Sequence, residues 1–237
     1  MSDPVTAPAL RLVQPAVSAA GSASSATRSL ADLVRRRVSG TYEIDPWGLD
    51  SDLVAAVTPL VGVRYDVLVD HAHRLPEEGP ALLVANRRFG WSEATVVAHG
   101  LRQTVGRHPR VVGAPTIDPF GPLASRLGAV LDRPDEVAGL LRAGEVVLVL
   151  LDRDLRPRSR AGQMPVHLVA PAFALGAPVI PVGVLGRELG RFWRVRLGEP
   201  LRHPDGRGPL AVAELAERAR AGVQAALDEA DPPRGLI

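Results

Sequence analysis

The chain contains no cysteine and no lysine. The first absence removes disulfide frameworks, thiol nucleophiles, zinc ribbons and iron–sulfur ligation together. The second removes a Schiff-base amine and a phosphate-loop lysine, and all 28 basic residues are arginine. Aromatic residues are scarce at 4%, which leaves few stacking platforms for single-stranded nucleic acid. An excess of one charge sign is lacking too, since the formal net charge is only +2. The arginines are spread out, with short clusters such as Arg35-Arg36-Arg37, and no nucleic-acid partner is expected. No window approaches the ~18 uninterrupted apolar residues of a membrane-spanning helix. The longest apolar runs, Val146–Leu151 and Ala177–Leu185, have the length of strands. The N-terminal stretch lacks the charged start and apolar run of a secretory signal. A cytoplasmic location is expected, with contact to a membrane surface left open. No pair of histidines has the spacing of a metal-binding HExxH, so no metal is expected.

What is present is ordinary globular material: 237 residues, 46% hydrophobic and 23% charged. Residues 1–28 are rich in Ala, Ser and Pro without periodicity and read as a flexible tail. In Ser29–Val38 the apolar residues recur at 30, 33, 34 and 38, the pattern of an amphipathic helix. Its opposite face carries three arginines, which either stay solvated or touch anionic lipid headgroups. Residues 29–44 make this helix and a linker, and residues 45–237 form a single α/β domain.

Within that domain, strands are expected at Tyr65–Val69, Ala81–Ala85, Arg110–Gly113, Val146–Leu151, Val179–Val184 and Trp193–Leu197. Helices are expected at Ser51–Arg64, kinked or broken near Pro59, and at Trp91–Val105, Pro119–Leu127, Pro134–Arg142, His167–Leu175 and Pro209–Ala230. Several of the strands are continuously apolar, which implies a mostly parallel central sheet covered by helices on both faces. In such sheets the functional residues lie at the carboxyl ends of strands. Two loops there turn abruptly polar: Asn86 to Glu93 after ALLVA, and Asp152 to Arg160 after VVLVLL. Arginines converging at strand ends make a receptor for phosphate or carboxylate, because the guanidinium fork bonds two oxygens at once.

The phrases GPALLVAN, DPFGPLASRLGAVLDRPDEVAGLLRAGEVVLVLL and LGAPVIPVGVLG together resemble the lysophospholipid (glycerolipid) acyltransferase family over roughly residues 45 to 200. The resemblance implies that family's fold, and transfer of an acyl group from acyl-CoA or acyl-ACP to a lysophospholipid-type acceptor, without a bound cofactor. Its first motif, usually Asn-His-x-Ser-x-x-Asp, falls on Asn86 to Ser92. In the family the histidine takes the proton from the acceptor hydroxyl and the aspartate orients it. Here those positions are Arg87 and Ser92. The third motif, usually Phe-Pro-Glu-Gly, reads Leu150-Leu151-Asp152-Arg153, and Pro181 matches the proline of the fourth. Arg133 falls where the second motif often carries an arginine that contacts the acceptor phosphate.

An arginine at 87 cannot act as a general base near neutral pH, because a guanidinium keeps its proton. Losing a positioned base typically removes about 10²–10⁴ in rate. Glu93 and His167 are the candidate replacements. His99 lies seven residues beyond Ser92, about 10 Å along a helix axis, and is out of reach of the dyad. Arg88, Arg133, Asp152 and Arg153 are the candidate binding residues for an anionic substrate. Three readings stand: a transferase with a remodelled site, a catalytically silent protein of the same fold that binds lipid or acyl thioester as a regulatory or scaffolding module, or a structural or partner-binding role through the Arg35–Arg37 helix and the tail. The oligomeric state is left open.

Overall fold

A computed structural model describes residues 35, 43–87, 92–115, 120–152 and 161–230. The tail and the Arg35–Arg37 helix expected at Ser29–Val38 lie outside these residues, except Arg35, which is helical and exposed. In chain order the elements are helix α1 (Ser51–Arg64), strand β1 (Asp66–Asp70), β2 (Ala81–Ala85), α2 (Ser92–Val105) and β3 (Arg110–Val112). They continue with α3 (Phe120–Arg126), β4 (Ala129–Val130), α4 (Pro134–Arg142), β5 (Val146–Leu150), α5 (Val166–Leu175), β6 (Val179–Gly186), β7 (Phe192–Leu197) and α6 (Pro209–Ala230).

The boundaries follow local chemistry. Asp50 caps α1 by accepting the Leu53 N–H at 2.9 Å. Pro134 opens α4 at a position where a missing N–H costs nothing, and Gly176 closes α5 in the left-handed conformation that glycine adopts without strain. Of the kink or break expected near Pro59, the break is absent: helix α1 runs on through the proline. The proline removes one backbone bond, and Val54 and Ala56 are the residues the helix buries.

The seven strands form one sheet in the order β1-β7-β6-β2-β5-β3-β4. β6, β2, β5, β3 and β4 are parallel to one another. β7 pairs antiparallel with β6 and parallel with β1, because the connection at residues 187–191 is too short for a crossover. The carboxyl ends of the five parallel strands therefore share one edge with the amino ends of β1 and β7. The two-residue β4 was not expected, being too short to carry any periodicity. Every residue of β2 is buried: Leu82 and Val84 face a core under α4, α5 and α6, while Ala81, Leu83 and Ala85 face a second core under α2. That two-sided burial explains the uninterrupted apolar runs. This is a single α/β domain with a mostly parallel sheet flanked by helices.

Helix α6 sits directly on β6. A Cβ on Gly183 would stand 2.9 Å from the carbonyl carbon of Ala226, and one on Gly222 would stand 2.7 Å from Pro181 Cγ. Gly183→Ala is expected to cost about 1–3 kcal/mol of stability through overpacking, read as a lower midpoint in urea unfolding. An unchanged or raised midpoint would contradict this packing.

Candidate functional site

At the end of β2 the Asn86 side chain is buried and bonds both backbone groups of Val184, donating to its carbonyl at 2.9 Å and accepting from its N–H at 2.7 Å. Asn86 thus serves the backbone of β6 and ties two strand ends together. The next residue, Arg87, enters the wall of a cavity of about 770 Å³. Its Nε is buried and has no hydrogen-bond partner among the described residues. Arg88 and Arg153 lie outside the described residues.

The cavity lies between α1, α2, β3 and α3, and its wall is mostly aliphatic: Val57 and Val61 of α1, Ala98 of α2, Val111 of β3 and Leu127 after α3, with Leu150 of β5. The β2–β5 register sets Ala85 opposite Leu150, and Leu151 N–H donates to Ala85 O at 2.8 Å. The two polar loops singled out in the sequence therefore leave adjacent strands at the same level. Arg87 and Leu150 line one cavity. Asp152 is exposed just beyond it, with its backbone N–H bonded to Gln163 O at 2.9 Å.

Ser92, the first residue of α2, is buried, and its hydroxyl donates to the Glu188 carboxylate in the β6–β7 turn. The Tyr65 hydroxyl lies 3.3 Å from Ser92 Oγ. With the serine proton on Glu188, the tyrosine is the donor. Arg64 fixes the turn by donating to Gly190 O at 2.8 Å and Glu188 O at 2.7 Å, and its guanidinium lies 4.6 Å above the Tyr65 ring. The second carboxylate oxygen of Glu188 is buried without a hydrogen-bond partner among the described residues.

The candidate replacement bases stand elsewhere. Glu93 is 1% exposed and does not line the cavity. Ala94 and Thr95, which do, point about 100° and 200° further round the helix. His167 projects from the start of α5 and pairs with Asp132 at 3.0 Å; both are more than half exposed, away from the cavity. Arg133 is exposed at the N-cap of α4 and does not line the cavity either. Among the described residues no cluster of His, Cys, Asp or Glu is arranged to hold a metal ion.

Two histidines do line the cavity. His99 has its basicity lowered by burial alone. His108 is lowered chiefly by burial, with Arg102 and Arg110 adding to the effect and a 3.0 Å bond from Nε2 to Leu127 O opposing it. His99 lies two turns beyond the dyad position at Ser92 on α2, and its wall position depends on how α1 and α3 close over that helix. Glu188 carried no sequence signal: it lies 96 positions from Ser92 in a turn that matches no motif.

No family model matches the chain, and no curated protein matches its sequence. A solved structure is similar in fold: the 1-acyl-sn-glycerophosphate (LPA) acyltransferase PlsC from Thermotoga maritima, with a TM-score of 0.57 over 78% of this chain and 84% of that one. The fold is the PlsC acyltransferase fold. At 16% identity the likeness concerns the fold, and the site must be read from its own residues.

Burial holds both cavity histidines below the ordinary 6.5. The unfolded chain then takes up more protons as pH falls through that value, so the stabilisation present above it is lost on acidification. Unfolding free energy should fall between about pH 7 and pH 5, by at most about 1.4 kcal/mol per pH unit for each histidine. The slope should shrink in His99→Phe. A flat profile in urea melts would contradict the burial described.

Proposed function

We propose that this chain uses the acyltransferase fold to bind an anionic long-chain amphiphile, a lysophospholipid-type lipid or an acyl thioester, without turning it over through the usual dyad. The observation that carries this reading is Arg87, a cation in the wall of an aliphatic cavity at a strand's carboxyl end. A volume of 770 Å³ is within the roughly 300–1,000 Å³ of small-molecule sites. Each methylene buried there contributes about 0.8 kcal/mol. The guanidinium bonds phosphate or carboxylate oxygens in pairs, but it accepts no proton from an alcohol. In this reading Arg88 and Arg153 add to the binding of the anionic group, and Arg133, outside the cavity, meets a phosphate there.

Access from a lipid surface belongs to the same reading. Leu60 and Val63 on α1 and Phe120 and Leu123 on α3 stand out to solvent, on the two helices that roof the cavity. Among the described residues no helix is long and apolar enough to cross a membrane, so the proposed contact is peripheral.

A second reading, a transferase, is favoured by the Glu188 carboxylate on Ser92. There the acceptor hydroxyl attacks the thioester carbonyl, its proton passes through Ser92 to Glu188, the C–S bond breaks and the thiolate is reprotonated. A thioester-consumption assay with lysophospholipid acceptors, run beside a binding titration on the same sample, separates the two. Saturable binding without turnover is expected. Turnover abolished by Glu188→Gln would establish the transferase instead.

Rebuilding the dyad gives a sharper expectation. Ser92→Asp would set a second carboxylate against Glu188, and two like charges in a buried site disfavour ionisation of both. Arg87→His with Ser92→Asp should therefore stay nearly inactive. Adding Glu188→Gln should raise thioester consumption by about 100-fold or more. Equal rates for the double and triple variants would contradict the geometry.

A further inference from the structure

Arg87 is not the only cation in the described wall of the cavity: Arg102 lines it too, in the last turn of α2. Ten residues separate Arg102 from Ser92, which is about 15 Å along the helix axis. His108 shares that end of the wall, and its basicity is lowered chiefly by burial and further by the charge of Arg102. The sheet gives a similar span. Arg110 pairs with Val147 and Ala85 with Leu150. His108, two residues before Arg110, therefore stands at the amino edge of the sheet, and Arg87, two beyond Ala85, at its carboxyl edge, roughly 20 Å away. No Asp or Glu is among the described residues of this wall, and Arg102, half-buried, makes no hydrogen bond or ion pair with a described residue. A cation is favourable in the last turn of a helix. That accounts for an arginine at 102, but not for a lining that is cationic at both ends and mostly aliphatic between them.

We propose, on the reading of the cavity as a site for anionic amphiphiles headed by Arg87, that its preferred ligand carries an anionic group at each end. Such a ligand is a long-chain dicarboxylate, with one carboxylate on Arg87 and the other on Arg102. An extended chain advances about 3.6 Å per three bonds, so a gap of about 15 Å calls for a chain of about fourteen carbons. A plain acyl chain held at Arg87 brings its methyl end to Arg102 and strips water from the guanidinium with nothing in exchange. A second carboxylate replaces that water with a charge-assisted bond, and its charge offsets the repulsion between Arg102 and His108.

The test uses the whole protein and three probes: tetradecanedioic acid, its monomethyl ester and tetradecanoic acid. Calorimetric titration should show the diacid binding about tenfold more tightly than its half-ester, the size of one charge-assisted bond. Arg102→Gln should remove most of that advantage. The His108 imidazole resonances provide a measurement without substitution, and should titrate at higher pH with the diacid bound than with the half-ester bound. Arg110 and Glu145, the other charges that act on His108, are common to both complexes. Equal affinity of diacid and half-ester, an advantage that survives in Arg102→Gln, or the same His108 titration in both complexes would overturn the proposal and leave the anionic-amphiphile reading intact. Failure of all three probes to bind would overturn both.

Discussion

Two hydrogen bonds between the Asn86 side chain and the Val184 backbone determine where β2 stops and where the chain goes next. A buried amide with both its carbonyl and its amino group engaged has little freedom, and leaving either backbone partner unpaired would cost about 1–3 kcal/mol. Residue 87 is thereby delivered to the sheet edge at the level where β5 also ends. The rest of the site follows from that placement. Adjacent parallel strands release their loops side by side, α2 begins at Ser92 above them, and the space left between α2 and the roof of α1 and α3 is the cavity.

What occupies position 87 then decides what the cavity can do. An imidazole there with a carboxylate at 92 would move a proton. An arginine with a serine at 92 presents a lasting positive charge to an aliphatic space. Such a charge strengthens attraction to phosphate or carboxylate and discourages formation of another cation nearby. The Glu188 carboxylate stands at neither dyad position: it comes from the β6–β7 turn and accepts the Ser92 hydroxyl. Arg64 holds the turn by donating to the Glu188 backbone carbonyl, and the Tyr65 hydroxyl completes the polar cluster through Ser92 Oγ.

Much of this fold was legible in the sequence, and the reason is physical. β2 and β5 are buried on both faces, so their apolar runs begin and end where the strands do; α4 starts at a proline, and α6 carries a long helical period bounded by Pro209. Strand order was less legible. The antiparallel turn of β7 depends on the brevity of residues 187–191, and β4 is two residues long. The strand-end position of Arg87 could be anticipated from the loop after ALLVA. The cavity could not, since it exists because α1 stands off α2 and α3 completes the roof. Neither the Glu188–Ser92 contact nor the wall position of His99 has a local signature: both arise from how distant segments come together.

The central claim is that a fixed cation heads an aliphatic cavity and selects anionic amphiphiles. Competitive titration of matched sixteen-carbon ligands, an acid against its alcohol, measures this directly in the unmodified protein and in Arg87→Gln. The account predicts that the acid binds the unmodified protein at least about tenfold more tightly, the size of one charge-assisted bond. It also predicts that Arg87→Gln reduces that difference several-fold while the alcohol's affinity stays put, Arg102 being the other cation of the described wall. Equal binding of acid and alcohol to the unmodified protein, or an acid preference untouched by the substitution, would contradict it.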